Sequence, residues 1–475
     1  MRWWLTWKNN FSKVSMTDEQ YINEEVSEMN QHDTALQSGL RRLQIAISGE
    51  WGGKEGRIAK EAVELYLKNK REFLLCKDPV ALAGMMGNTE RYPELEALLE
   101  TGTVGTNAIL HAFVSTTQLN YKYDEWAGDT VGYWGVNPNT IKNKFEHWYL
   151  ELIRQLMGET SKDDRTGTGT RSLTTAVYKH DLRESFPLLR SRFLKPENPG
   201  KEYIWMLSGS NNEKELAAMG VPFWSEFADE TGDLGPVYGY LWRYWPNGDG
   251  TTTDQIEYVL ETLRKSPESR RAVVSCWHPG LIPDSKTPPK ENYKVGKQAL
   301  TPCHYAFQFL ASPIGFCERL AWVKQHKPEQ IAFLYPVTGS DWTERTEEAM
   351  NRIGVPKYYL DLQFNMRSSD TVLGLPANFN FYGHMCHAFA KELNMVPRYL
   401  SYTGTDVHLY VNHIKGMKEV FDWVKQNKEK VFDEVAQIKI VGEFENLYDM
   451  KPENFEYINY NRELVGPAKR FPVAV

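Results

Sequence analysis

Between positions 145 and 156 apolar side chains recur at helical spacing. Phe145, Trp148, Tyr149, Leu152, Ile153 and Leu156 form one stripe, and the charged or polar residues between them face away. The stripe predicts an amphipathic helix ending at Gly158, a residue type that often closes helices. Farther along, the period changes to two. Tyr305, Phe307 and Phe309 alternate with His304, Ala306 and Gln308, and Tyr358, Leu360, Leu362 and Phe364 alternate with Tyr359, Asp361 and Gln363. Both runs predict half-buried strands. Residues 313–356, between them, carry Pro313, Gly315, Pro328, Pro336, Gly339 and Gly354 around two charged helical patches, the pattern of an insertion at a strand connection. A smaller Pro- and Lys-rich insertion runs over about 283–297. Residues 1–140 behave differently. Ile58, Ala62, Leu65 and Tyr66, then Leu95, Leu98 and Leu99, fall at helical spacing between glycine breaks, which predicts a mostly helical extension ahead of a larger domain over 141–475.

At 475 residues the chain exceeds the size at which one core keeps growing, which agrees with a large unit plus an appended segment. The net charge of −7 gives no footprint for a nucleic-acid polymer, although local basic clusters could hold a single phosphate. Cys76, Cys276, Cys303, Cys317 and Cys386 are odd in number, widely spaced and contain no C-x-x-C, against a disulfide framework or a zinc site. A reducing cytoplasmic location is expected, with no metal. The apolar start Met1–Trp7 is broken by Lys8-Asn9-Asn10, and no later run reaches 18 uninterrupted apolar residues, so neither secretion nor membrane insertion is expected.

The chemistry concentrates around Cys303, in Thr301-Pro302-Cys303-His304. A cysteine is a nucleophile only as thiolate, and its ordinary pKa of about 8.5 means that it needs a cation nearby. Arg270-Arg271 and Arg367-Ser368 lie beside apolar strand-like runs, where an unpaired guanidinium is costly unless an anion meets it. Phosphate is the simplest such anion. Arg165-Thr166-Gly167-Thr168-Gly169-Thr170 is a flexible loop with one cation; it lacks the Gly-Lys-Ser/Thr ending that triphosphate hydrolysis would use. Asp406-Val407-His408-Leu409-Tyr410 sets polar groups on one strand face, suited to a sugar hydroxyl or equally to satisfied core positions. His384, Cys386 and His387 crowd one helix without a second ligand pair, so core histidines are the simpler reading.

In this order the residues resemble the thymidylate synthase family, which includes the bacteriophage deoxynucleotide hydroxymethylases. The motifs are Asp164 to Thr170, Phe186-Pro187-Leu188-Leu189, Gly232 to Gly239, Ser269-Arg270-Arg271, Pro302-Cys303-His304, Arg367-Ser368-Ser369-Asp370, Leu373-Gly374-Leu375-Pro376 and Asp406 to Tyr410, within roughly 144–475. The resemblance implies an α+β fold, three layers around a large mixed sheet. It implies 5,10-methylenetetrahydrofolate as co-substrate and dUMP as substrate, with Cys303 adding to C6 and C5 capturing the one-carbon unit. By the same resemblance Glu202, Tyr238, His304, Asn378 and Asp370 are catalytic, and Arg165, Arg270, Arg271, Arg367 and Ser368 hold the phosphate. Gln308, Asn378, His408 and Tyr410 face the base and sugar; Trp224, Asp370, Gly374 and Val475 face the folate. Arg270 and Arg271 reach across from a partner subunit in this family, which implies a homodimer.

Asn378 stands where deoxycytidylate hydroxymethylases carry aspartate, and an amide can both donate to O4 and accept from N3–H of uracil. Several positions depart from the synthase pattern. Met366 replaces a glutamine, Ser225 and Phe227 replace an aspartate and a tryptophan, Ala377 and Phe379-Asn380-Phe381 replace a Phe-Asn-Ile-Ala-Ser run, and Arg190-Ser191-Arg192-Phe193 stands for Thr-Thr-Lys-Arg. These departures cluster around folate and C5 and point to a deoxyuridylate hydroxymethylase, whose methylene intermediate is quenched by water. The alternative, a hydride quench to dTMP, is favoured by Trp224 and by Phe471-Pro472-Val473-Ala474-Val475, which resembles a tail that closes over folate. A catalytically inactive assembly protein is the remaining alternative.

Overall fold

The structure, a computed structural model, describes residues 133–136, 140–164, 167–284, 286–334 and 342–473. The helices expected before residue 133, Arg165 of the Gly/Thr loop and Val475 lie outside the described residues.

The described elements build an α+β unit around one seven-stranded mixed sheet. Its strands are β1 (Ser161–Lys162), β2 (Thr170–Asp181), β3 (Val273–Ser275), β4 (His304–Pro313), β5 (Tyr358–Met366), β6 (Ser369–Asp370) and β7 (Val396–Tyr410). They run β1-β2-β7-β5-β4-β3 across the sheet, with β6 pairing β7. Only β5 and β6 run parallel to β7; the other pairs are antiparallel.

One face carries the core. Leu360, Leu362 and Phe364 of β5 point into it, against α7 (Gly374–Glu392). Phe364 stacks on Tyr382 of that helix at 4.4 Å and meets Phe379 edge-on at 5.2 Å. Phe379, Met385, Cys386, Ala388 and Phe389 are all sequestered, as a helix that is apolar on most sides must be. The stripe read between 145 and 156 becomes α1 (Lys144–Gly158), whose N-cap Asn143 accepts from the Glu146 amide at 3.2 Å. Trp148 lies at the edge of the stripe and stacks on Tyr178 of β2 at 4.4 Å. The other face of the sheet is open: Val177 is 64% exposed, Val273 43% and Leu310 37%.

Between β4 and β5 the chain forms α5 (Phe316–His326) and α6 (Trp342–Arg352). Val323, Leu334, Met350 and Val355 make a small core there. Arg319, buried beneath it, donates to the carbonyls of Pro356 and Val355 at 3.2 and 3.3 Å and to Asn351 Oδ1 at 2.7 Å. These acceptors on Nε and Nη2 offset the cost of burying a guanidinium.

Candidate active site

Cys303 sits immediately before β4, where that strand meets the C-terminal end of β5. His304 pairs with Met366 across a bulge, and the Arg367 amide donates to the Cys303 carbonyl at 2.9 Å. The Arg367 guanidinium folds back over the same turn. Its Nε donates to the Pro302 carbonyl at 2.8 Å and its Nη2 to the Thr301 carbonyl at 3.0 Å, leaving Nη2 4.0 Å from Cys303 Sγ. Burial pushes the Cys303 thiol above its ordinary pKa, Arg367 pulls it down, and the Asp370 carboxylate adds to the rise. The thiol therefore rests protonated and becomes a nucleophile when a base or substrate polarises it.

Tyr238, on α3 (Tyr238–Arg243), accepts from the Cys303 amide through its hydroxyl at 3.0 Å. The loop before it is fastened: the Ala299 amide donates to the Leu234 carbonyl at 2.9 Å and Gln298 Nε2 to the Pro236 carbonyl at 3.1 Å. Gly235, at φ +67°, lies so close to the Lys297 carbonyl that a Cβ would fall 2.2 Å from it. Tyr238 stacks on His304 at 4.1 Å and 12°. His304 is buried, which lowers its pKa to about 3, so the ring is neutral, with Nδ1 2.7 Å from the Tyr382 hydroxyl. Tyr382 was missed in the sequence, although it lies four residues after Asn378 on α7 and therefore on the same side of that helix.

Glu202 projects from α2 (Glu197–Leu207), and burial raises its pKa to about 7, countered only by the Trp224 indole, whose Nε1 donates to Oε1 at 2.7 Å. Trp224 also meets Tyr238 edge-on at 5.6 Å and Phe227 at 6.2 Å. A carboxyl poised near neutrality thus lies one indole ring away from the wall of the Cys303 pocket. Asn378, in the first turn of α7, points Nδ2 at the Met366 sulfur, 3.4 Å away. A thioether is a weak acceptor, so the amide keeps most of its capacity for a ligand. Gly374 opens α7; a Cβ there would sit 3.7 Å from Asn378 Nδ2 and 3.8 Å from Asp370 Cβ. Asp370 Oδ1 accepts from the amides of Val372 and Leu373 at 2.9 and 3.3 Å, fixing the carboxylate beside the helix start.

Ser368 Oγ reaches Asp406 Oδ2 at 3.4 Å, and Lys162 Nζ holds Asp406 Oδ1 at 2.9 Å. Asp406 occupies the left-handed region at φ +42°. His408 Nδ1 lies 2.8 Å from the Asp406 carbonyl; since a carbonyl only accepts, Nδ1 carries a proton, and Nε2 is the nitrogen left for a ligand. Tyr410 meets the His408 ring edge-on at 5.1 Å.

Three expected site residues are not brought to this cluster. Gln308 lies five residues beyond Cys303 along the strand, roughly 15 Å away, on the open face, where its Nε2 donates to the Arg270 carbonyl at 2.9 Å. Arg270 and Arg271 are exposed, and the pairing of Val273 with Gln308 carries them still farther from the thiol of their own chain. Alternation groups Gln308 with His304, and the bulge between His304 and Ala306 breaks that phase, so the two side chains part.

The assembled groups define an enzyme site for covalent work on a planar ring: a thiol beside a guanidinium, a neutral histidine stacked on a tyrosine, and a buried acid. Residues 147–475 match the family model described as thymidylate synthase. The chain is also 34% identical over 328 residues to the thymidylate synthase of Pseudomonas fluorescens (strain SBW25), a match spanning 69% of this chain and 99% of that relative. The chain belongs to the thymidylate synthase family and is a folate-dependent enzyme of one-carbon transfer to dUMP. The family uses methylenetetrahydrofolate as co-substrate. Among the described residues no group of three or more His, Cys, Asp or Glu is placed to hold a metal, and no helix is long and apolar enough to cross a membrane.

Proposed function

We propose that the chain is a thymidylate synthase that converts dUMP to dTMP through a Cys303–C6 adduct, with residues 141–475 as the catalytic domain and residues 1–140 as an extension. The observation that carries the covalent step is the Arg367 guanidinium 4.0 Å from the thiol. Cys303 gives up its thiol proton to solvent as Sγ bonds to C6, the C5–C6 π pair moves toward O4, and a proton delivered from Glu202 through water offsets the charge there. A carboxyl with a pKa of about 7 can give that proton and later take the one leaving C5. Tyr238 and His304 flank the base, and Asn378 reads its N3 and O4 edge. His408 Nε2 accepts from a sugar hydroxyl, with Tyr410 beside it.

The half-exposed rings of Trp224 and Phe227 and the fixed Asp370 carboxylate fit a pterin, which stacks and presents N–H donors. Folate, when bound, supplies the one-carbon unit and, in a synthase, the hydride. A hydride quench requires water to be kept away. In support of this, Phe471–Val473 is packed down: the Pro472 carbonyl accepts from His413 Nε2 at 2.7 Å, and the Phe471 ring lies 5.2 Å from the His413 ring. The docked segment and the relative's name move the balance from the hydroxymethylase expected on the sequence toward the synthase.

The hydroxymethylase stands as a second reading, because Met366 puts a thioether rather than an amide beside Asn378, and Phe227 replaces a tryptophan at the folate wall. Mass spectrometry of the nucleotide product decides. A methyl product with growing dihydrofolate absorbance supports the synthase; a hydroxymethyl product without that absorbance supports the second reading. No release of tritium from C5-labelled dUMP would leave only the inactive assembly protein.

The phosphate is assigned to Arg367 and Ser368, with Arg165 and the partner's arginine pair completing it. Arg270 and Arg271 cannot serve the thiol of their own chain at the separation their strand register sets, so a second copy on the open sheet face would receive them. A dimer by sedimentation, lost together with activity on charge reversal at Arg271, checks this. Location in the cytoplasm agrees with the free thiols Cys276, Cys303, Cys317 and Cys386.

A further inference from the structure

Arg192 and Phe471 lie far apart in the chain, yet the structure joins them. Arg192 is buried, 1% exposed, and donates through Nη2 to the Val372 carbonyl. Its guanidinium lies 5.3 Å from the centroid of the Phe471 ring, over the ring face. Arg192 Nε has no partner among the described residues, and the buried cation is stabilised by the Val372 carbonyl, the Phe471 ring and the nearby Glu146 and Tyr149.

Each end of this contact is anchored. Phe471 fits onto α8 (Ile414–Gln426) at Gly416, where a Cβ would come within 2.5 Å of the ring, and it meets His413 edge-on. Val372 is held on both of its polar groups: its amide donates to Asp370 Oδ1 at 2.9 Å, and its carbonyl accepts from Arg192. The Arg190–Phe193 run is pinned alongside Gly466, whose amide donates to the Arg190 carbonyl at 2.8 Å while its carbonyl accepts from the Phe193 amide at 3.0 Å. A single guanidinium therefore bridges the packed segment Phe471–Val473 and the turn that aims the Asp370 carboxylate.

We propose that Arg192 is a positioning residue that couples docking of Phe471–Val473 to the Asp370 turn, so that the segment closes only when the folate-facing carboxylate is in place. The proposal rests on the folate reading above for its catalytic consequence, but the latch itself does not. An arginine suits the task because its planar fork can donate to a carbonyl and present a flat face to an aromatic ring at once, which a lysine ammonium cannot.

Trypsin acting after Arg470 releases Phe471–Val475, and mass spectrometry of that peptide reads docking in protein without ligands. In Arg192→Met and Phe471→Leu the release rate is expected to rise about tenfold, the equivalent of one exposed-to-buried cation–π contact. The same two variants should raise KM for methylenetetrahydrofolate about tenfold while KM for dUMP stays within about twofold, and Arg192→Lys should fall between. Unchanged peptide release in both variants, or equal rises in the two KM values, overturns the proposal. Phe471 is only half-buried, so Phe471→Leu decides the matter if Arg192→Met does not fold. Absence of turnover in the unaltered protein with any reduced folate would defeat the functional reading alone, since peptide release would still judge the latch.

Discussion

Arg367 Nη2 stands 4.0 Å from Cys303 Sγ while the same guanidinium holds the Thr301 and Pro302 carbonyls. One cation thus shapes the turn that presents the nucleophile and favours its charged form against the burial that opposes it.

Removing that charge separates the two effects. In Arg367→Met the pH midpoint of Cys303 alkylation by iodoacetamide should move upward, because desolvation then acts unopposed. KM for dUMP should rise by about 10- to 100-fold if the same guanidinium meets the phosphate. An alkylation midpoint that stays put would contradict the electrostatic role.

Glu202 supplies a titration near neutrality. Burial raises its carboxyl to about 7, so it is protonated below that pH and able to donate; kcat/KM should fall as pH rises through about 7. Glu202→Gln should abolish this limb and lower kcat by roughly 10²- to 10⁴-fold. A variant that keeps the limb would assign it to another group.

Glu146 bears on stability rather than turnover. It is fully buried on α1 beside Arg190 and Arg192, and burial raises its pKa from 4.5 to about 7. A carboxyl with a raised folded pKa binds its proton more tightly in the native state. Its contribution is therefore present below the unfolded pKa and is lost as pH rises through the folded one. Urea unfolding should show the parent losing up to about 3 kcal/mol more than Glu146→Gln between pH 5 and pH 8. Parallel pH dependences in the two proteins would refute this.

Base choice rests on Asn378. Asn378→Asp leaves only acceptors, which mismatch the O4 of uracil and suit the 4-amino group or a protonated N3 of cytosine, at about 1 to 3 kcal/mol. The ratio of kcat/KM for dUMP over dCMP should drop by about 5- to 150-fold. A constant ratio would remove the amide from the account.

Much of the site was legible because its chemistry is local in the chain. Cys303-His304 and Arg367-Ser368 are each contiguous, and one bulged strand pair brings them together. Tyr358 to Phe364 showed its buried face by period alone. What stayed hidden depends on faces and long-range partners. Alternation alone sets Gln308 on the same face as His304, and only the bulge after His304 separates the two. Lys162 and Asp406 pair across 244 residues. The burial of Arg190 and Arg192 was not legible, because the carbonyls that accept from them, of Lys430, Asn459 and Val372, belong to distant segments.

The central claim is a bond between one sulfur and one pyrimidine carbon. Incubation with 5-fluoro-dUMP and methylenetetrahydrofolate, followed by peptide mass spectrometry, should give a stable covalent adduct on the peptide carrying Cys303 and none in Cys303→Ala, which should still bind dUMP. An adduct on a different cysteine, or no adduct in the unaltered protein, would contradict it.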